Sequence, residues 1–131
     1  MATILVIEDD DQTRHLIREI LEQAHHTVIE AKNGDEGIKR FHRAPTDLII
    51  TDILMPEKEG LETIRELRRE YPGINIIAIS GGTERAHLNI LDIARKLGAT
   101  QTILKPFSMH TLLNAVHAAL AGPASSQDSS A

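Results

Sequence analysis

Five short apolar runs punctuate the chain, each closed by polar or turn residues: Ile4-Leu5-Val6-Ile7, Thr27-Val28-Ile29, Leu48-Ile49-Ile50, Ile74–Ile79 and Thr102-Ile103-Leu104. They are rich in β-branched residues and nearly continuous, the pattern of strands covered on both faces. Between them, apolar residues recur at helical spacing. Residues 12–24 set Leu16, Ile17, Ile20, Leu21 and Ala24 on one stripe, and residues 34–43 carry Ile38 and Phe41 behind the turn pair Asn33-Gly34. Residues 59–71 repeat Leu61, Ile64 and Leu67 until Pro72-Gly73 stops them. Residues 84–97 align Ile90, Ile93, Ala94 and Leu97 ahead of Gly98, a C-cap signal. Residues 108–121 carry Leu112, Leu113, Val116 and Leu120 and end at Gly122-Pro123.

The order is βαβαβαβαβα. Alternation at this spacing predicts right-handed crossovers and a doubly wound α/β fold, with helices on both faces of a five-stranded parallel sheet. A length of 131 residues is one domain's worth, large enough to bury a core without a staple. Residues 122–131 hold no large apolar side chain. The expected division is therefore a domain over 1–121 and a disordered tail, or the start of a linker, over 122–131. A net charge of −5 argues against general nucleic-acid binding, and the absence of cysteine removes disulfides, thiolate metal sites and thiol catalysis. No apolar stretch approaches the roughly 18–20 residues of a membrane span. The N-terminal run meets acid at Glu8, unlike a secretory signal, so a cytoplasmic protein is expected.

Ligands of parallel α/β sheets gather beyond the carboxyl ends of the strands. After strand 1 come Glu8 and Asp9; after strand 3, Asp52; after strand 4, Ser80; after strand 5, Lys105. Strand 2 is followed only by Ala31-Lys32. With strand order 2-1-3-4-5, three carboxylates, a hydroxyl and an ammonium converge on one cleft. Clustered carboxylates repel one another and invite a cation. Mg²⁺ suits them, because it takes oxygen ligands and keeps several waters. With a cation bound, a phosphoryl group can approach, and an Asp carboxylate can act as its nucleophile. Lys105 would add positive charge and Ser80 a hydroxyl donor.

The motifs Ile4-Leu5-Val6-Ile7-Glu8-Asp9-Asp10 and Asp47-Leu48-Ile49-Ile50-Thr51-Asp52-Ile53-Leu54-Met55-Pro56 are followed by Gly60, Ser80, Gly98-Ala99 and Leu104-Lys105-Pro106-Phe107. On these, the chain resembles the receiver domain of bacterial two-component response regulators over roughly residues 3–120. The resemblance implies the CheY-like, flavodoxin-like (βα)5 fold. It implies that Asp52 accepts a phosphoryl group from the phosphohistidine of a sensor histidine kinase or phosphotransfer protein. Glu8 and Asp9 match the acidic pair, Asp9 as the direct Mg²⁺ ligand, and the Leu54 carbonyl matches the third protein ligand. Lys105 matches the phosphoryl-binding lysine, before a cis Lys105–Pro106 bond. Ser80 matches the hydroxyl residue that biases an inactive–active equilibrium.

The implied protein is a phosphorylation-dependent switch that catalyses only its own phosphorylation and dephosphorylation. Its output partner is unspecified. The helix 4–strand 5–helix 5 face is the expected partner or homodimer surface, with neither nucleic acid nor membrane as a direct partner. Three features depart from the commoner pattern. Glu8 adds a methylene over Asp, which favours a water-mediated metal contact. Thr102 stands where the family often carries an aromatic switch. Leu54 and Gly82 stand where rapidly dephosphorylating members often carry polar side chains, so a long-lived phosphoryl state is expected.

Plainer readings compete residue by residue. Asp10 and Asp11 suit a helix N-terminus better than a metal. The seven histidines lack metal-ligand spacing and read as surface residues, and Leu88 as an isolated exposed apolar side chain. Glu62, Arg65, Glu66, Arg69 and Glu70 read as a solvated salt-bridge face. An aspartate-nucleophile phosphatase of the haloacid dehalogenase type expects a second Asp two residues after Asp52, where Leu54 stands. A flavodoxin-like FMN binder wants a hydroxyl-rich phosphate loop after strand 1, where this chain places four acids. An unphosphorylated receiver kept as a binding module needs no complete acid, Asp, Ser and Lys set.

Overall fold

The structure, a computed structural model, describes residues 1–53, 60–81 and 92–130, with residues 122–130 of these as backbone. Strands β1 (Thr3–Ile7), β2 (Thr27–Ala31), β3 (Leu48–Asp52), β4 (Asn75–Ser80) and β5 (Gln101–Leu104) form one sheet in the order β2-β1-β3-β4-β5. Every pairing is parallel, so the expected order and class hold. Helices α1 (Asp11–Gln23), α2 (Gly34–Arg43), α3 (Gly60–Glu70) and α5 (Met109–Ser130) join them. Residues 92–97 are helical and are called α4; the remainder of its predicted span, with Leu88 and Ile90, lies outside the described residues.

Strand alternation separates two apolar layers. Leu5, Ile7, Ile49, Ile76 and Ala78 face α2, α3 and α4 through Ile38, Phe41, Ile64, Leu67 and Ala94. Ile4, Val6, Leu48, Ile50, Ile77, Ile79 and Ile103 face α1 and α5 through Ile17, Ile20, Leu21, Leu112, Val116 and Ala119. Both surfaces of β1, β3 and β4 are thereby buried, which is why their sequences show no polar alternation. Among the described residues, no helix is long and apolar enough to cross a membrane.

Helix starts follow their caps. The Asp10 carboxylate accepts from the Thr13 amide at 2.8 Å and the Thr13 hydroxyl at 2.6 Å, so its role is the N-cap expected for it. Asn33 caps α2 the same way through the Glu36 amide at 2.9 Å. Gly98 closes α4 with φ at +122°, a conformation that only glycine, lacking a Cβ, adopts at little cost.

Several expectations need correction. Leu16, placed on the core stripe of α1, is half exposed, and Arg14 takes an inward position instead. Ile93 is likewise exposed, since Ala94 is the residue that turns inward. His26 is buried, not superficial, because its Nδ1 accepts from the Ala2 amide at 3.1 Å where α1 turns into β2. The backbone of α5 continues as helix to Ser130, across Gly122-Pro123, past the helix stop that the sequence predicts there. Proline penalises a helix interior by about 3 kcal/mol without forbidding it, and the alanines around it are the strongest helix formers.

Candidate functional site

The carboxyl ends of β1 and β3 lie side by side, because Ile7 pairs with Thr51 and Asp52 is the next residue. Glu8 follows β1 directly, and its amide donates to the Ala31 carbonyl at 3.0 Å. Asp52 is the last residue of β3 and is 5% exposed. Ligand oxygens of Glu8, Asp9 and Asp52 all fall within 4.8 Å of one another, with Glu8 and Asp52 buried and Asp9 exposed. Lys105, the residue after β5, brings its Nζ to 2.7 Å from Asp52 Oδ2 and 3.0 Å from Glu8 Oε1. Four of the residues expected to converge therefore do so.

Ser80 ends β4 fully buried, and its hydroxyl donates to the Gly81 carbonyl at 3.4 Å. Its own carbonyl accepts from the Lys105 amide at 2.8 Å, which ties the β4 and β5 ends together. Lys105–Pro106 is cis. Leu54, with Met55 and Pro56, lies outside the described residues, as does Gly82. Thr102 lies on β5, where its hydroxyl accepts from Arg95 of α4 at 3.2 Å.

Gly60 draws α3 against this edge. Its amide donates to the Ile53 carbonyl at 2.8 Å, and a Cβ there would collide with the Asp52 carbonyl oxygen and Ile53 Cα. Asp47, quoted in the β3 motif, serves the opposite end of the sheet, accepting from the Thr3 amide at 2.8 Å. His42 pairs with Glu70 at 2.8 Å, as a surface contact.

Electrostatics in the pocket are strained by burial. Glu8 is raised from its ordinary 4.5 to about 7, first by desolvation, then by the Asp52 charge; bonds from Lys105 and the Asp10 amide oppose this. Burial also disfavours the Lys105 ammonium, but its bonds to Asp52 and Glu8 outweigh that and raise its pKa. The donor set fits a hard divalent cation: every ligand is a carboxylate oxygen, and among the described residues no histidine joins them to favour zinc. Both Glu8 oxygens already accept, one from Lys105 and the other from the Asp10 amide at 3.1 Å.

A pH dependence follows. Between pH 4.5 and about 7 the folded chain holds a proton on Glu8 that the unfolded chain has released. Stability from this group is thus highest below 4.5 and falls as pH rises through that window, by up to about 3 kcal/mol. Glu8→Gln is expected to flatten this part of the metal-free Tm-against-pH curve. A divalent cation held by this cluster would compete with the same proton, so Mg²⁺ affinity is expected to rise with pH up to about 7 and to lose most of that rise in Glu8→Gln. Calorimetric titration across pH checks both.

Sequence reasoning missed Arg14 and Glu30. Arg14 Nη1 donates to the Glu8 carbonyl at 2.9 Å, and Arg14 Nε to Glu30 Oε1 on β2 at 3.0 Å. The signal was an arginine one turn ahead of Ile17 on the buried side of α1.

The chain matches the family described as the response regulator receiver domain over residues 4–117. It is 32% identical over 114 residues to the chemotaxis protein CheY of Halobacterium salinarum, covering 86% of this chain and 92% of that protein. It is 33% identical over 117 residues to the transcriptional regulatory protein ResD of Bacillus subtilis, covering 89% of this chain but 47% of ResD. The chain spans half or less of the length of several such longer curated relatives. The crystal structure of a response regulator receiver domain protein from Clostridium thermocellum superposes with a TM-score of 0.84 at 30% identity, covering 92% of this chain and 94% of that one.

Proposed function

The chain belongs to the response regulator receiver family, and from that premise we propose that it is a Mg²⁺-dependent phosphorylation switch with Asp52 as the phosphoacceptor. The observation that carries this reading is the Lys105 ammonium bonded to both Asp52 and Glu8 inside a cluster of three carboxylates. A buried Asp whose negative neighbours need a cation, beside a fixed ammonium, is built to meet phosphate and to be silent without it.

In the proposed step, an Asp52 carboxylate oxygen attacks phosphorus as the P–N bond of a phosphohistidine breaks, and the electron pair leaves with the imidazole. The donor belongs to a sensor histidine kinase or a phosphotransfer protein. Lys105 pairs with the phosphoryl oxygens, exchanging one anionic partner for another. Bound Mg²⁺ supplies charge neutralisation and in-line orientation. Asp9 and Asp52 would hold it and Glu8 would act through water, while the third protein ligand that the family resemblance assigns to Leu54 lies outside the described residues. Rotation of the buried Ser80 hydroxyl away from Gly81 would let it donate to the new phosphoryl group, pulling on the β4–β5 ends that it shares with Lys105.

The proposed unit is residues 1–121, with 122–131 as a tail or the start of a linker. The α4–β5–α5 face is the proposed output and homodimer surface, in the cytoplasm, with neither nucleic acid nor membrane as a direct partner. The chain acts as no enzyme beyond its own phosphorylation and hydrolysis, and Leu54 and Gly82 favour slow hydrolysis. A beryllofluoride titration tests the reading. The expected result is a saturable rise in Tm that requires Mg²⁺. No response from a folded protein that binds Mg²⁺ would leave an unphosphorylated binding module as the better account.

A further inference from the structure

Arg14 occupies a place on α1 where packing alone would select an apolar residue. Its side chain is 7% exposed, on the side of the helix that buries Ile17 and Leu21. Burying a guanidinium is costly unless its donors are fully used. Here they are divided among three partners: the Glu8 carbonyl, the Glu30 carboxylate and the Asp11 carboxylate. Glu30 is shared with Arg18, so β2 contributes an acid that holds two arginines of α1.

The Glu8 carbonyl belongs to the peptide that joins Glu8 to Asp9. The Glu8 backbone is fixed from both sides, its own amide by the Ala31 carbonyl and its carbonyl, which begins that peptide, by Arg14. The orientation of that peptide decides where the exposed Asp9 carboxylate stands relative to Asp52. A planar fork can bind Glu30 and the carbonyl together, whereas an ammonium at its place could not hold both in one geometry. We propose that Arg14, braced by Glu30, is a positioning residue that orients the Glu8–Asp9 acidic pair toward Asp52 for the divalent cation. The inference rests on the reading of this pocket as a Mg²⁺-dependent phosphoacceptor site.

The test compares wild type with Arg14→Met, Arg14→Lys and Glu30→Gln by calorimetric Mg²⁺ titration, Tm, and acetyl phosphate uptake against Mg²⁺ concentration. Groups that orient a metal's ligands are typically worth 10–100-fold in affinity. Arg14→Met is expected to weaken Mg²⁺ binding about tenfold. The concentration for half-maximal uptake moves with it, by more than the maximal rate falls. Arg14→Lys lies between, and Glu30→Gln gives a smaller loss in the same direction. A folded Arg14→Met with lowered Tm and unchanged Mg²⁺ affinity overturns the proposal in favour of a purely structural role. If Arg14→Met does not fold, unchanged affinity in both Arg14→Lys and Glu30→Gln overturns it equally. Wild type that neither binds Mg²⁺ nor takes up phosphate rejects the pocket's reading itself, and Arg14's role with it. Where wild type does both, the pocket's reading stands and any failure among the variants falls on Arg14 alone.

Discussion

Asp52→Asn is expected to fold, to hold Lys105 in place and to acquire no stable phosphoryl adduct. The amide keeps an acceptor oxygen for Lys105, which lies 2.7 Å from Asp52 Oδ2, but it lacks the carboxylate's nucleophilicity. Removing the Asp52 charge also removes the second cause, after burial, of the raised Glu8 pKa. Glu8 therefore ionises at lower pH in the variant. Mg²⁺ affinity falls because one carboxylate donor is lost, while the metal-free protein gains on the order of 1 kcal/mol at neutral pH from relieved repulsion. Intact-mass analysis and melting curves read both effects. An adduct in Asp52→Asn as abundant as in wild type would move the acceptor to another acid.

Gly60→Ala is expected to be the most damaging single methyl group in the described structure. The added Cβ meets the Asp52 carbonyl oxygen and Ile53 Cα, and neither can rotate away, because both are backbone. The start of α3 must retreat or the end of β3 must move, and either displaces the proposed nucleophile. Overpacking costs about 1–3 kcal/mol where side chains absorb it. A backbone obstacle puts this substitution at about 3 kcal/mol, roughly 10 °C in Tm for a domain of this size. Gly37→Ala is a matched control, since the atoms nearest its Cβ belong to the Ile7 side chain and not to backbone. The expected order of melting temperatures is wild type, Gly37→Ala, then Gly60→Ala, with phosphoryl uptake sharply reduced only in the last. Equal melting temperatures for Gly60→Ala and wild type would contradict the close approach.

The sheet was legible because β1, β3 and β4 are buried on both faces and so read as unbroken apolar runs. Once strand order is known, the residue after each strand is placed by topology alone, which is why Glu8, Asp52 and Lys105 could be named from their positions. Arg14 and Glu30 were hidden by their chemistry. A charged residue on a helical stripe reads as solvent-facing unless its partner on another element is known, and Glu30 sits in the strand that seemed to offer the site nothing. Leu16 misled in the opposite direction. Its spacing fits the α1 stripe, but it lines an open groove with Thr13, Gly81 and Phe107. Gly60 was quoted as part of a motif, yet the reason for it, the contact of α3 with the Asp52 backbone, exists only in three dimensions.

Intact-mass analysis of the wild-type chain after acetyl phosphate treatment, with and without Mg²⁺ and followed by peptide mapping, bears most directly on the switch chemistry. One added phosphoryl group, dependent on Mg²⁺ and mapped to Asp52, is the predicted result. Uptake at another residue, uptake indifferent to Mg²⁺, or no uptake by folded protein that binds Mg²⁺ and is watched from the first seconds of reaction would contradict it.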